Sequence, residues 1–167
     1  MTYPKAMDLT KFFEGCKYKA YADSGGIWTI GIGSTKNVTE GMIISHNEVL
    51  RRWDVDIQDS ITRVNQYLKV QLNDDEMSAV ISQAFNLKSF PKLMGHLNRD
   101  KELYKNKMLL YCKDAKGNFL KGLLIRRMAE RLLFESRAWM EFAVWAQGKT
   151  ITIDMILDKQ KQLFAGV

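Results

Sequence analysis

The chain reads as an α+β protein, mainly helical. Three observations carry that expectation. Apolar residues recur at intervals of three and four through most of the 167 residues. Strand-like alternation is confined to the stretch from Lys17 to Ile32. Within that stretch, Ser24-Gly25-Gly26 supplies the reversal of a hairpin. A small β element therefore precedes a larger helical body.

The elements follow in order. Pro4 suits the first turn of a helix, where its missing N–H costs nothing. Leu9, Phe12, Phe13 and Cys16 give that helix an apolar face, and Gly15 stops it. Tyr18, Ala20 and Ala22 then alternate with Lys17, Lys19 and Tyr21, and Ile27 to Ile32 alternate again. Ser45 with Glu48 makes a capping box for a long amphipathic helix, whose apolar stripe is Leu50, Trp53, Ile57, Ile61, Val64 and Leu68. Asn73 with Glu76 opens the next helix, with Met77, Val80, Ile81, Ala84 and Phe85 on one face. Lys88-Ser89-Phe90-Pro91 breaks it. One or two shorter helices follow from Leu93 to Tyr111, and Asp114-Ala115-Lys116-Gly117-Asn118 is a loop. Trp139, Phe142 and Trp145 with Ala138 and Ala146 form an aromatic stripe at helical spacing, read as core. Thr152 caps a final helix from Asp154 to Phe164, with the tail forming an extra helical layer.

The chemistry concentrates between Phe13 and Thr35. Glu14 is followed by eight residues and then Asp23; five more precede Thr29. Two carboxylates and a hydroxyl brought together by a tight reversal suit hydrolysis of a glycosidic bond. Glu14 falls at a helix C-terminus, beside carbonyls without partners, which disfavours a negative charge there. A general acid benefits, because it must hold its proton until the bond breaks. Asp23 falls at the mouth of the hairpin, with Thr29 one strand up and facing back toward it.

These residues resemble the phage-type lysozymes, the endolysins of lambdoid and T-even phages (glycoside hydrolase family 24). The resemblance rests on Glu14, Asp23 and Thr29 at the family spacing, continued by Thr29-Ile30-Gly31-Ile32-Gly33-Ser34-Thr35. It extends through Gly41 to Glu48, through Ala84-Phe85-Asn86, and through Gly117 to Glu130 with its Arg126-Arg127 pair, covering roughly residues 5 to 137. It implies a lysozyme-like fold with a small β-hairpin or three-stranded-sheet lobe and a larger helical lobe joined by a long helix. The expected boundaries are about 12–45 for the small lobe, 46–69 for the connecting helix and 73–167 for the helical lobe with its C-terminal extension, all within one domain spanning 1–167.

The resemblance also implies an activity: a muramidase cutting the β-1,4 bond between N-acetylmuramic acid and N-acetylglucosamine in peptidoglycan. Glu14 would be the general acid. Asp23 would orient or activate the attacking water, consistent with inversion and with carboxyls roughly 6.5 Å or more apart. Thr29 would hold that water or Asp23. Tyr21, Gly33, Ser34, Asn86, Arg126 and Arg127 are the expected substrate-binding residues. An arginine near Glu14 would favour its charged form and so oppose the helix-end effect. Three positions depart from the family pattern. Ser34 stands where many relatives have histidine, Lys88 replaces a usual glycine, and Lys121 a frequent proline.

Composition bounds the partners. The net charge is +6 and the pI about 9.3, so the molecule should seek polyanions. Lys113, Lys116, Lys121, Arg126, Arg127, Arg131 and Arg137 gather in one segment, read as attraction to peptidoglycan and anionic lipopolysaccharide. No helix-turn-helix, zinc pattern or aromatic RNA-binding signature is present, so nucleic acid is not expected. Cys16 and Cys112 form no C-x-x-C motif and His46 and His96 lie apart, so neither metal nor cofactor is expected. Two buried free thiols are the favoured reading, with a disulfide still open. There is no run of eighteen apolar residues and no signal-peptide pattern. The expected place is the host cytoplasm until a holin opens the membrane, with the protein acting as a monomer. Two other classes stay open: a lytic transglycosylase, and a basic wall-binding or membrane-permeabilising protein.

Overall fold

The computed structural model of the chain describes residues 3–23, 25–87, 90–114 and 116–165. Ser24 of the hairpin turn, Lys88 and Ser89 of the predicted break, Ala115 of the late loop, and the chain ends at 1–2 and 166–167 lie outside the described residues. Pro4 starts α1 (Pro4–Glu14), and Gly15 ends it at φ +72°, a value that a residue with a Cβ resists.

β1 (Lys17–Ala22) and β2 (Trp28–Gly31) form a two-stranded antiparallel sheet, with Tyr21 opposite Thr29 and Ala22 opposite Trp28. A third strand is present only as a short ladder. The Ala20 N–H donates to the Met42 carbonyl at 2.8 Å and the Ile44 N–H to the Tyr18 carbonyl at 2.9 Å. Pairing ends there because Ser45, the next residue, already caps a helix.

That helix is α2 (His46–Tyr67). The Ser45 hydroxyl accepts from the Glu48 N–H at 3.3 Å, but the expected box is only half made. Arg51 and Arg52 take the Glu48 carboxylate instead. The hydrogen bond from Arg51 is the main cause that holds the Glu48 carboxyl down at about 2. In α3 (Asp74–Asn86) the box is complete, with Asn73 and Glu76 each bonding the other's backbone N–H.

α3 is the central helix. It packs against α1, α2 and α6 (Lys121–Phe134), and Ser78 to Ala84 are all buried. Small residues among the aliphatics let three neighbours approach. Two of its buried polar groups bond across the packing: Gln83 Oε1 accepts from the Tyr104 hydroxyl at 2.6 Å, and Ser82 donates to Glu130 at 2.8 Å. α4 (Phe90–Arg99) carries Pro91 in its first turn, and Asp100 caps α5 (Lys101–Met108). α7 (Met140–Ala146) and α8 (Ile153–Leu163) lie on α6, with Thr152 as the cap of α8. Trp139, Phe142 and Ala146 are buried, and Trp139 meets Phe12 edge-on at 5.7 Å between ring centroids. The aromatic stripe is thus mainly core. No helix among the described residues is long and apolar enough to cross a membrane.

The cysteines are free, which closes the disulfide alternative, but only one is buried. Cys16 is half-exposed, since it follows the turn at Gly15 instead of continuing the helical face. Burial pushes the Cys112 thiol up to about 11, and its Sγ donates to the Leu109 carbonyl at 2.8 Å. The thiolate is the reactive form. Iodoacetamide at pH 8 should therefore label Cys16 alone in the native protein and both cysteines once it is unfolded, as read by peptide mass spectrometry.

Candidate active site

Glu14 is the last residue of α1, so its side chain leaves the helix where the chain turns toward the sheet. The carboxylate is about a quarter exposed and its Oε1 accepts from Nη1 of Arg126. On its other side the backbone closes in. A Cβ built on Gly33 would meet Glu14 Oε2 at 3.4 Å and Phe85 at 3.5 Å, and Gly33 sits at φ +73°. The conformation is what favours glycine here; a Cβ would only touch its neighbours at van der Waals distance. Glu14 is thus held between a guanidinium and a bare stretch of main chain.

Arg126 is itself fixed by buried groups. Its Nε donates to Glu130 Oε1 at 3.2 Å, and its guanidinium carbon lies 5.6 Å from the Phe13 ring centre. Glu130 is fully buried. It accepts from Ser82 at 2.8 Å and from Arg127 at 3.0 Å. Arg127 is also fully buried, and its Nη2 donates to Asn86 Oδ1 at 2.9 Å. It has no surface to offer a substrate; its place is behind Arg126 and Asn86, where it neutralises Glu130.

The second acid is built into the hairpin. Asp23 Oδ1 accepts from the Gly25 and Ile27 N–H groups, both at 2.8 Å. This turn uses one carboxylate oxygen and leaves Oδ2 without a backbone partner among these bonds. The Thr29 side chain is buried, and its hydroxyl donates to the Ile27 carbonyl at 3.1 Å, not to Asp23. Having one proton only, Thr29 is left as an acceptor for anything else that reaches it. Tyr21, opposite Thr29, senses both acids. Its phenol is raised first by partial burial and then by the charges of Glu14 and Asp23.

A cleft of about 500 Å³ joins Glu14, Phe13 and Asn86 to Arg126 and to Gly122, Leu123 and Gln147. Glu14, Asn86 and Arg126 therefore share one opening, which Gly33 abuts through Glu14. Ser34 is buried and belongs to a smaller hollow of about 170 Å³ with Lys36, Arg51 and Arg52. Another cavity, of about 400 Å³, lies among α6, α7 and α8 and holds none of these residues. Glu130, Ser82 and Gln147 were not expected at the site. Glu130 had a sequence signal, since it stands four residues after Arg126 and three after Arg127 on one helix.

Arg126, Arg127 and Arg131 are buried and occupied inside the protein, so residues 113–137 do not form one cationic surface. Aliphatic packing along α6 buries every residue from Leu124 to Phe134, whatever its charge.

The pattern of the phage lysozymes matches residues 11–130. The chain belongs to the phage lysozyme family. It is 31% identical over 140 residues to an endolysin of Acyrthosiphon pisum secondary endosymbiont phage 1, covering 79% of this chain and 96% of that one. It is 32% identical over 133 residues to the endolysin of Salmonella phage P22, covering 74% and 90%. Among solved structures it is similar to the endolysin from Escherichia coli O157:H7 phage FAHEc1. The TM-score there is 0.73 at 29% identity, over 80% of this chain and 93% of the other. This lysozyme is accordingly a glycoside hydrolase of the endolysin kind, and peptidoglycan is its substrate.

Two predictions follow from the geometry of this lysozyme. Glu130→Gln leaves two buried guanidiniums without their shared anion and should cost about 3 kcal/mol or more, read as a lower urea midpoint. Removing either nearby negative charge makes the phenolate easier to form. In Glu14→Gln and in Asp23→Asn the Tyr21 phenol should therefore ionise at lower pH than in the wild type. Ultraviolet titration against a Tyr21→Phe reference isolates that signal.

Proposed function

We propose that this lysozyme cleaves the β-1,4 bond between N-acetylmuramic acid and N-acetylglucosamine by a single displacement. Glu14 gives its proton to the glycosidic oxygen as the bond to C1 lengthens. A water attacks C1 from the opposite face and loses its proton to Asp23. Thr29, with its own proton committed to Ile27, accepts from the same water and aims a lone pair at C1. The observation that carries this reading is the Glu14 carboxylate fixed between Arg126 and Gly33 in an open cleft. When Glu14 loses its proton it becomes the anion that Arg126 faces. That ion pair therefore strengthens as the leaving group departs, which is the form of stabilisation that lowers a barrier.

Of the other candidates, Asn86 and Tyr21 are read as flanking the sugar. Arg126 and Gly33 act on Glu14, and Ser34 and Arg127 support the walls from within. The chain is read as one domain of two lobes, about 12–45 and 73–167, joined by α2. Release to the wall through a holin, and attraction to lipopolysaccharide through the net charge of +6, complete this reading.

Glu14→Gln should abolish release of saccharides from purified peptidoglycan while leaving the fold intact, since the side chains match in shape. Wild-type digests should carry reducing N-acetylmuramic acid ends, first formed as the α-anomer, by mass spectrometry and proton NMR. Anhydro ends would replace hydrolysis by a transglycosylase and remove the role of Asp23.

A further inference from the structure

The helical lobe carries a second opening that the reaction does not use. It is a groove of about 510 Å³ lined by Lys92 and His96 of α4, by Lys107 of α5, and by Leu110 and Tyr111 beyond it. Its ionisable lining contains no acid. Lys101 is paired with Glu76 and Lys105 with Glu102 and Glu135, whereas Lys92, His96 and Lys107 have no acidic partner among the described residues. Residues 90–113 hold six lysines and arginines against two acids, Asp100 and Glu102. Asp100 is committed to capping α5 and Glu102 to Lys105. Lysines left unpaired around one concave surface repel one another, and an anion seated there relieves that repulsion. Tyr111, half-buried, gives the groove a flat apolar wall, and Leu110 stands 67% exposed at its edge.

We propose that this groove binds carboxylates of the peptide stems of the wall, holding the enzyme on a strand other than the one being cut. The proposal rests on peptidoglycan being the substrate. Charge complementarity carries it: the groove offers cations and an apolar wall, and peptide stems offer carboxylates on short aliphatic side chains. Attachment at two points raises the local concentration of cleft around substrate without tightening the cleft itself. The binding weakens with salt, because the groove is open and screened.

The test measures sedimentation of the protein with intact sacculi in the Glu14→Gln background, where nothing is digested. Lys92→Gln with Lys107→Gln should weaken binding about fivefold at low salt. Lys113→Gln with Lys116→Gln, which removes the same charge elsewhere, should weaken it much less. The difference should vanish on sacculi whose carboxyls have been amidated. With Glu14 restored, Lys92→Gln with Lys107→Gln should cut short soluble glycan chains lacking peptides at the wild-type rate. Equal losses in the two double variants would overturn the proposal, since net charge alone would then act. Groove-dependent binding to anionic phospholipid vesicles and not to sacculi would also overturn it, because the occupant would be a lipid phosphate. A protein that binds sacculi through the groove yet releases no saccharides would sink the hydrolysis reading alone.

Discussion

The site depends on one buried anion. Glu130 lies fully buried on α6 between two arginines of the same helix, and Ser82 of α3 donates to it from across the interface. Burial pushes the Arg127 guanidinium down from its usual range, and the Glu130 charge is the main force holding it up. Without that carboxylate neither arginine would be tolerated in the core. With it, one positive charge remains to be matched at the surface, and that charge is carried by Arg126 to Glu14. The catalytic candidate on α1 is therefore connected to the packing of α3 against α6. Anything that separates those helices moves the guanidinium that orients Glu14.

The β side of the site obeys a different constraint. There the backbone is the positioning device. Gly31 at φ +65° and Gly33 at φ +73° bend the chain out of β2 in a conformation that residues with a Cβ resist, and Gly33 brings main chain against Glu14. Asp23 is held by two N–H groups of its own turn. One acid is thus fixed by long-range packing and the other by a local turn. The sheet of β1 and β2 connects the two. Tyr21 stands in that sheet and registers both charges.

What the sequence discloses follows this division. Glu14, Asp23 and Thr29 lie within sixteen residues, and glycines, a helix stop and alternation are local signals, so that part was legible. The contact between Arg126 and Glu14 spans 112 positions, and here residue order alone does not choose between Arg126 and Arg127. Periodicity could not help either. α6 is buried on every side from Leu124 onward, so it shows no polar stripe to mark which arginine faces the cleft. The same absence of a stripe made Arg131 look like part of a cationic surface. Of the two forms expected for the small lobe the hairpin is the one built. Ser45 starts α2 so early that only Met42 to Ile44 can pair as a third strand.

The helices beyond the family match complete this arrangement instead of standing apart from it. Arg131 follows Glu130 and would, on a bare α6, be a solvated residue. Its guanidinium carbon instead lies 4.1 Å from the ring centre of Phe164, at the end of α8. Its Nε meets Glu135 at 3.0 Å and its Nη1 meets Asn106 at 3.1 Å. Trp139, just before α7, reaches Phe12 in the last turns of α1. So α7 and α8 do two things at once. They cover Arg131 at the C-terminal half of α6 through Phe164, and through Trp139 they brace the end of α1 that carries Glu14. A cap that performs both tasks supports α1 and α6, the two helices that carry Glu14 and Arg126, and it brings Gln147 to the rim of the cleft.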